Sequence, residues 1–382
     1  MSVAPRPPLT HPGGVGGVVS DPAMQRLPVL TWLPVGALAS LVVATIVLPA
    51  ATARMAVPIA LAGGLIGVPH GAVDHLAPRW WGAGLAHVVP RWVRWAVEEP
   101  GAAAHPLRAR SLAMLRFLTL YLALAILALI AFLVAPTATL VVFLLMSAAH
   151  FGRGELVTSA ERAGRPANTG GGDRVVVAAY GSAIIGLLLW ARTDAIEPSL
   201  RVLSPWLADR LVDTRTAGLS VAAILVVLGL LALLRDRRRL EAVELGLIVT
   251  AFSLAPPLAA FGIYFGLWHA VRHTGRLLDL ARRAIVPARS ETAGFGSAAA
   301  TVARASLLPT AVVVAAGLAL WTGRDLIALQ AEVMVLLSVS LPHLAVVWVL
   351  DRAEAGKAGA RRRCGPRGGS QAMWHRAGRG RC

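Results

Sequence analysis

The sequence predicts an all-α, polytopic membrane protein with about ten transmembrane helices and both termini in the cytoplasm. Three observations carry that expectation. The 382 residues are 56% hydrophobic and only 15% charged, with a mean hydropathy of +0.66, whereas a soluble domain carries about 25% charged residues. The apolar residues gather in blocks of about eighteen or more, which as helix cross roughly 30 Å of hydrocarbon. No segment alternates apolar and polar residues with a period of two, and in lipid only helices or closed barrels satisfy their own backbone.

The blocks follow one another at 29–49, 55–75, 111–134, 137–155, 174–192, 216–234, 240–255, 258–276, 303–321 and 327–350. Residues 1–28, rich in proline and glycine, are expected to be a disordered extension; no cleavable signal peptide is evident, because the first apolar block is full length. The seventh block is short, contains Glu244 and stops at Pro256-Pro257. Blocks three, five, six and nine are nearly bare of polar side chains. Two loops read as interfacial. Residues 80–98 carry Trp80, Trp81, Trp92 and Trp95 with Arg91 and Arg94, and residues 200–212 carry Trp206 among leucines and valines; such rings suit the headgroup level. No repeat of 20–50 residues is visible. The expected organisation is therefore an extension (1–28), a transmembrane catalytic domain (29–351) and a basic disordered tail (352–382).

Charge sets the orientation. With ten crossings, one side receives most of the 37 Lys and Arg, in loops 76–110, 153–173, 235–239 and 277–302 and in the tail. The other side receives Arg54, Arg192, Arg201, Arg210, Arg215 and Arg324. The basic-rich side is cytoplasmic by the positive-inside rule, in a cell membrane. The net charge of +17 does not point to nucleic acid: it lies in loops and in a tail carrying Arg361, Arg362 and Arg363, where anionic lipid is the partner. Cys364 and Cys382 both fall in that tail. They offer no disulfide framework and no thiolate site, so a metal would need histidine and carboxylate.

Of the ten histidines, His11, His87, His105 and His375 lie in loops or tails. The others lie in even-numbered blocks: His70 and His75 in the second, His150 in the fourth, His269 and His273 in the eighth, His343 in the tenth. Each stands in the second half of its block, on the order of 5–12 Å from the cytoplasmic end at 1.5 Å per residue. Ionisable groups in membrane helices are costly and usually functional. His269 and His273, four apart, leave one helix face and can grip one ion. No glutamate stands within Trp268-His269-Ala270-Val271-Arg272-His273 to make a zinc-protease motif. His70 shares a face with Asp74, expected to take the free ring N–H, whereas His75 is rotated by about 140°. Gly67 and Gly71 flank His70 and permit close backbone approach. His150, followed by Phe151-Gly152 and then Glu155, repeats the pattern of histidine with carboxylate. Arg272, between His269 and His273, is expected to snorkel to the cytoplasm, the alternatives being a pair with Asp74, with Glu155 or with a lipid headgroup. All-imidazole coordination suits iron, copper or zinc alike.

At these residues the sequence resembles the Brp/Blh family of bacterial and archaeal membrane β-carotene 15,15′-dioxygenases. The resemblance rests on Gly67-Val68-Pro69-His70-Gly71-Ala72-Val73-Asp74, Ser147-Ala148-Ala149-His150-Phe151-Gly152, Tyr264-Phe265 running to His269-Ala270-Val271-Arg272-His273, and Leu341-Pro342-His343, in the family's order. Glu155 stands where the family often has aspartate. The resemblance implies Fe(2+) held by His70, His150, His269 and His273. It also implies cleavage of β-carotene by O2 into two retinals, with an opsin as a possible acceptor. Asp74, Glu155 and His343 are expected to support the ligands or to add one, and Tyr264, Phe265 and Trp268 to line a substrate tunnel. Two other classes compete: a membrane haem or quinone redox protein, and a histidine-relay transporter. The first wants histidines on facing helices, the second polar residues at several depths.

Overall fold

The computed structural model describes residues 27–77, 106–165, 171–285, 294–321 and 326–363. The loop tryptophans Trp80, Trp81, Trp92 and Trp95, most of the N-terminal extension and residues 364–382 lie outside the described residues. Among the described residues the chain is helical, with no strand. The helices are α1 (Pro28–Val47), α2 (Pro49–Arg54), α3 (Ala56–Gly71), α4 (Pro106–Val134), α5 (Pro136–Arg162), α6 (Gly171–Trp190, with a π segment at Ser182–Gly186), α7 (Thr193–Leu203), α8 (Pro205–Asp213), α9 (Arg215–Arg235) and α10 (Arg239–Leu254). Helix α11 runs unbroken through Pro257–Ile263, a π segment at Tyr264–His269, and Ala270–Ile285, and is followed by α12 (Gly294–Trp321) and α13 (Leu326–Arg363).

Local chemistry explains many of the ends. Pro28, Pro49, Pro136, Pro205 and Pro257 open helices, where a missing N–H costs nothing. Ser204 caps α8 by accepting the Leu207 N–H at 3.2 Å. Gly164 after α5 and Arg237 after α9 take positive φ (64° and 57°), the left-handed stop typical of helix C-termini.

Eight helices among the described residues are long and apolar enough to cross a membrane. The expectation of ten differs by two, α10 and α11. Helix α10 has only 16 residues, and α11 carries Arg272 and Arg276. Both bury one side: Leu245, Ile248 and Ala251 of α10 and Ala259, Tyr264 and Trp268 of α11 are fully buried, while Val243 and Leu254 of α10 and Leu258 of α11 are exposed. A helix walled by protein need not be apolar all round, because neighbours and not lipid satisfy its polar groups. The outward faces of α4 and α12 are apolar, with Val134 79% and Leu308 74% exposed, as a lipid-facing surface requires.

Helix α3 packs on the first half of α11, α5 on α6, α6 on α9, and α13 on α4. The α3–α11 contact is backbone to backbone. A Cβ at Gly63 would overlap the Gly262 carbonyl, and one at Gly266 would overlap Gly63. Small residues let membrane helices approach this closely. Residues 200–212 form the end of α7 and most of α8, with Leu200, Leu203, Ala208 and Leu211 buried and Trp206 57% exposed. Helix α13 continues past Asp351 to Arg363, so the expected disordered tail is helical over its first part. Because α5 and α13 outrun the expected spans, His150 and His343 stand near the middle of their helices and not close to an end.

Candidate metal centre

The α3–α11 contact brings the first imidazole into place. Gly67, whose Cβ would fall on the Phe265 ring, lets α3 lie flat on α11 just before His70. His70 donates from Nδ1 to the Gly67 carbonyl, which can only accept, so Nε2 is the basic nitrogen. The π segment ends at His269, and one turn later His273 stacks parallel to it, rings 6.0 Å apart and 8° from coplanar. The expected common face is thus seen in the ring planes. A π segment widens one turn by a residue and recurs at functional sites; nothing in the hydrophobic pattern announces it.

Four helices, α3, α5, α11 and α13, bring five imidazoles together. The His70 ring lies 5.5 Å from His269, 5.4 Å from His273 and 4.9 Å from His343. His150 lies 5.1 Å from His269 and 5.7 Å from His343, and His273 lies 5.8 Å from His343. Rings binding one ion through nitrogens about 2.1 Å away have centroids on the order of 5 Å apart. Two Nε2 atoms, of His273 and His343, are buried with no hydrogen-bond partner, and the Nε2 atoms of His150 and His269 face each other at 3.3 Å. Buried polar atoms are rarely left without a partner. Donor type, spacing and orphaned nitrogens all fit a metal ion. As placed, no set of three or more His, Cys, Asp or Glu donors among the described residues closes on a single point. His75 lies in the 3₁₀ turn after α3 and donates Nδ1 to the Ala72 carbonyl at 3.1 Å.

The two carboxylates sit elsewhere than the spacing suggests. Helix α3 stops at Gly71, so Asp74 leaves the face of His70 and accepts instead from His343 Nδ1 (2.9 Å) and the Tyr121 hydroxyl (3.2 Å). Glu155 is five residues past His150, about 140° around the helix. It accepts from Tyr264 (3.0 Å), Trp268 Nε1 (2.9 Å) and Arg272 (2.9 Å). Tyr264 and Trp268, expected to line a tunnel, are fully buried and hold this carboxylate. Phe265 does meet the centre, packing edge-on against His70 at 5.5 Å and stacking on Phe261.

Arg272 does not snorkel. It is 1% exposed, lies 4.1 Å over the Trp268 ring, and bridges Glu155 to Glu244, which Arg162 also grips at 2.7 and 3.0 Å. Arg276 joins Glu161 to Asp351, and Arg153 binds the same Asp351 at 2.9 Å. These pairs tie α5, α10, α11 and α13 together beside the histidines. A small cavity is lined by histidines and by members of these ion pairs, His150, His269, His273, Arg272 and Arg276 among them. Sequence reasoning missed Arg162, Glu244 and Tyr121 as partners. For Glu244 a signal existed, since an acid inside a membrane helix needs a cation nearby; for Tyr121 there was none.

Residues 96–351 match the family described as beta-carotene 15,15'-dioxygenase, a stretch that holds His150, His269, His273 and His343 and begins after His70. A protein of Halobacterium salinarum named as a probable beta-carotene 15,15'-dioxygenase Blh is 33% identical over 127 residues, covering 30% of this chain and 35% of its own length. The chain thus spans about a third of that relative. No solved structure matches. With well over half of its residues inside the family match, this chain belongs to the beta-carotene 15,15'-dioxygenase family.

Proposed function

We propose that this protein cleaves the central 15,15′ double bond of β-carotene with O2 to give two molecules of all-trans-retinal. In this reading it is a non-haem Fe(II) dioxygenase whose ion is held by His70, His150, His269 and His273. The observation that carries the reading is the gathering of buried and half-buried imidazoles from separate helices, with two orphaned Nε2 atoms and carboxylates drawn off into other partnerships. Bound iron would supply the activation of O2. The chain's own residues do the rest. Gly67 fixes the tautomer of His70. The π segment aims His269 beside His273. The rings of Phe151, 4.9 Å from His269, and Phe265, 5.5 Å from His70, wall the histidines against water and present an apolar flank to a polyene. Both oxygen atoms end in the two aldehydes as the carbon–carbon double bond breaks, so no external reductant enters.

In this reading α10 and α11 also cross the bilayer. The crossings then number ten, both termini are cytoplasmic, and the protein resides in the cell membrane with lipid around it and a retinal-accepting opsin as possible partner. The test is expression in carotene-accumulating cells. Loss of orange colour with retinal in the extract supports the proposal. Unchanged carotene, or off-centre cleavage to longer apocarotenals, overturns it.

A further inference from the structure

We infer that His343 is a fifth nitrogen donor to the ion of this centre, aligned by Asp74 and Tyr121; the inference rests on the metal reading above. His343 comes from α13, the one helix of the four that supplies none of the proposed ligands. Its ring lies 4.9 Å from His70, 5.7 Å from His150 and 5.8 Å from His273, as close as or closer than the 5.1–6.0 Å those ligands show among themselves. Its Nδ1 is 2.9 and 3.1 Å from the two oxygens of Asp74, a carboxylate that accepts, so the ring proton sits on Nδ1 and the lone pair on Nε2. That Nε2 is buried and has no partner among the described residues. A histidine serving only to pack two helices would have both nitrogens satisfied.

The support behind the ring is built as ligand supports are. The Tyr121 hydroxyl holds Asp74 Oδ2 at 3.2 Å, so α4, the turn after α3, and α13 all converge on one carboxylate. Gly71 lies against this ring: a Cβ there would stand 3.4 Å from His343 Nδ1, in van der Waals contact. A carboxylate on the far nitrogen fixes a ligand's tautomer and direction, and its loss weakens metal binding by about 10–100-fold. Asp74 and Tyr121 are positioning residues in this scheme.

The experiment uses the full chain purified in detergent, loaded with Fe(II) or with Co(II), and compares His343→Ala, Asp74→Asn, Asp74→Glu and Tyr121→Phe with His269→Ala. Metal release to a chelator should quicken by about 10–100-fold in His343→Ala and Asp74→Asn and by less in Tyr121→Phe, with Asp74→Glu partly restoring it. The visible absorption of the cobalt form should intensify in His343→Ala as the coordination number falls. Helical circular dichroism of the metal-free forms reports folding, and Asp74→Asn carries the test should His343→Ala fail to fold. If His343→Ala and Asp74→Asn keep native release rates and cobalt spectra while His269→Ala loses metal, the fifth ligand is refuted and the iron site stands. If His269→Ala also keeps its metal, both readings fall.

Discussion

Replacing Arg272 by methionine keeps side-chain length and helix propensity while deleting the cation at the centre of the buried network. Three attachments vanish: Glu155 at 2.9 Å, Glu244 at 2.8 Å and the Trp268 face at 4.1 Å. The two carboxylates are left unequal. Glu244 still holds Arg162 through both oxygens, whereas Glu155 keeps only the neutral donors Tyr264 and Trp268. The side chains of Arg272 and Glu155 are each 2% exposed, so water does not screen the loss. Stranding one buried partner costs about 3–5 kcal/mol. Glu155→Gln alone should cost about 1–2 kcal/mol, because Arg272 retains Glu244. The double variant strands no charge, so it should cost less than Arg272→Met alone, with a coupling of about 2 kcal/mol. Unfolding in mixed micelles, followed by tryptophan fluorescence and circular dichroism, reads all three. Additive costs, or a loss below about 1 kcal/mol for Arg272→Met, would refute the claim that these ion pairs hold α5, α10 and α11 in register.

Gly63→Ala should destabilise by about 3 kcal/mol, because its Cβ overlaps the Gly262 backbone, while Gly64→Ala one position on, with nothing within 4 Å, should be neutral or stabilising by up to about 1 kcal/mol. Equal costs in the same unfolding assay would contradict the close α3–α11 approach. Alanine at His70, His150, His269 or His273 should each abolish bound iron and retinal formation; full activity in any one removes that residue from the site. Cys364 and Cys382, the sequence's two cysteines, give a topology assay without engineering. A membrane-impermeant maleimide should label intact cells only after permeabilisation, and labelling without it would place the C-terminus outside.

Much of the candidate centre was legible because histidine is conspicuous in an apolar helix. His70, His150, His269 and His273 stand out against apolar neighbours, and the spacing of the last two already implied one face. The partners of Asp74 were not legible, and for Glu155 the sequence offered Arg272 only as one of several alternatives. Asp74 leaves its expected face because α3 ends at Gly71, and a helix end is a matter of hydrogen bonding that the apolar pattern does not mark. Glu155 sits about 140° from His150, and only the arrival of Arg272 from another helix decides what it binds.

The sequence by itself determined the class: long apolar blocks demand helices in lipid, and the imidazoles within them announce a site. Proline marked some of the helix starts, though Pro34, Pro69, Pro198, Pro309 and Pro342 lie inside helices. Tertiary structure decided which polar groups meet. The Arg272–Glu244 ion pair and the His343–Asp74 hydrogen bond join residues 28 and 269 positions apart. Their strength depends on distance and burial, which no local pattern encodes. The same holds for α10 and α11, one short and the other carrying two arginines, whose buried charges are tolerated because neighbouring helices supply the counter-charges.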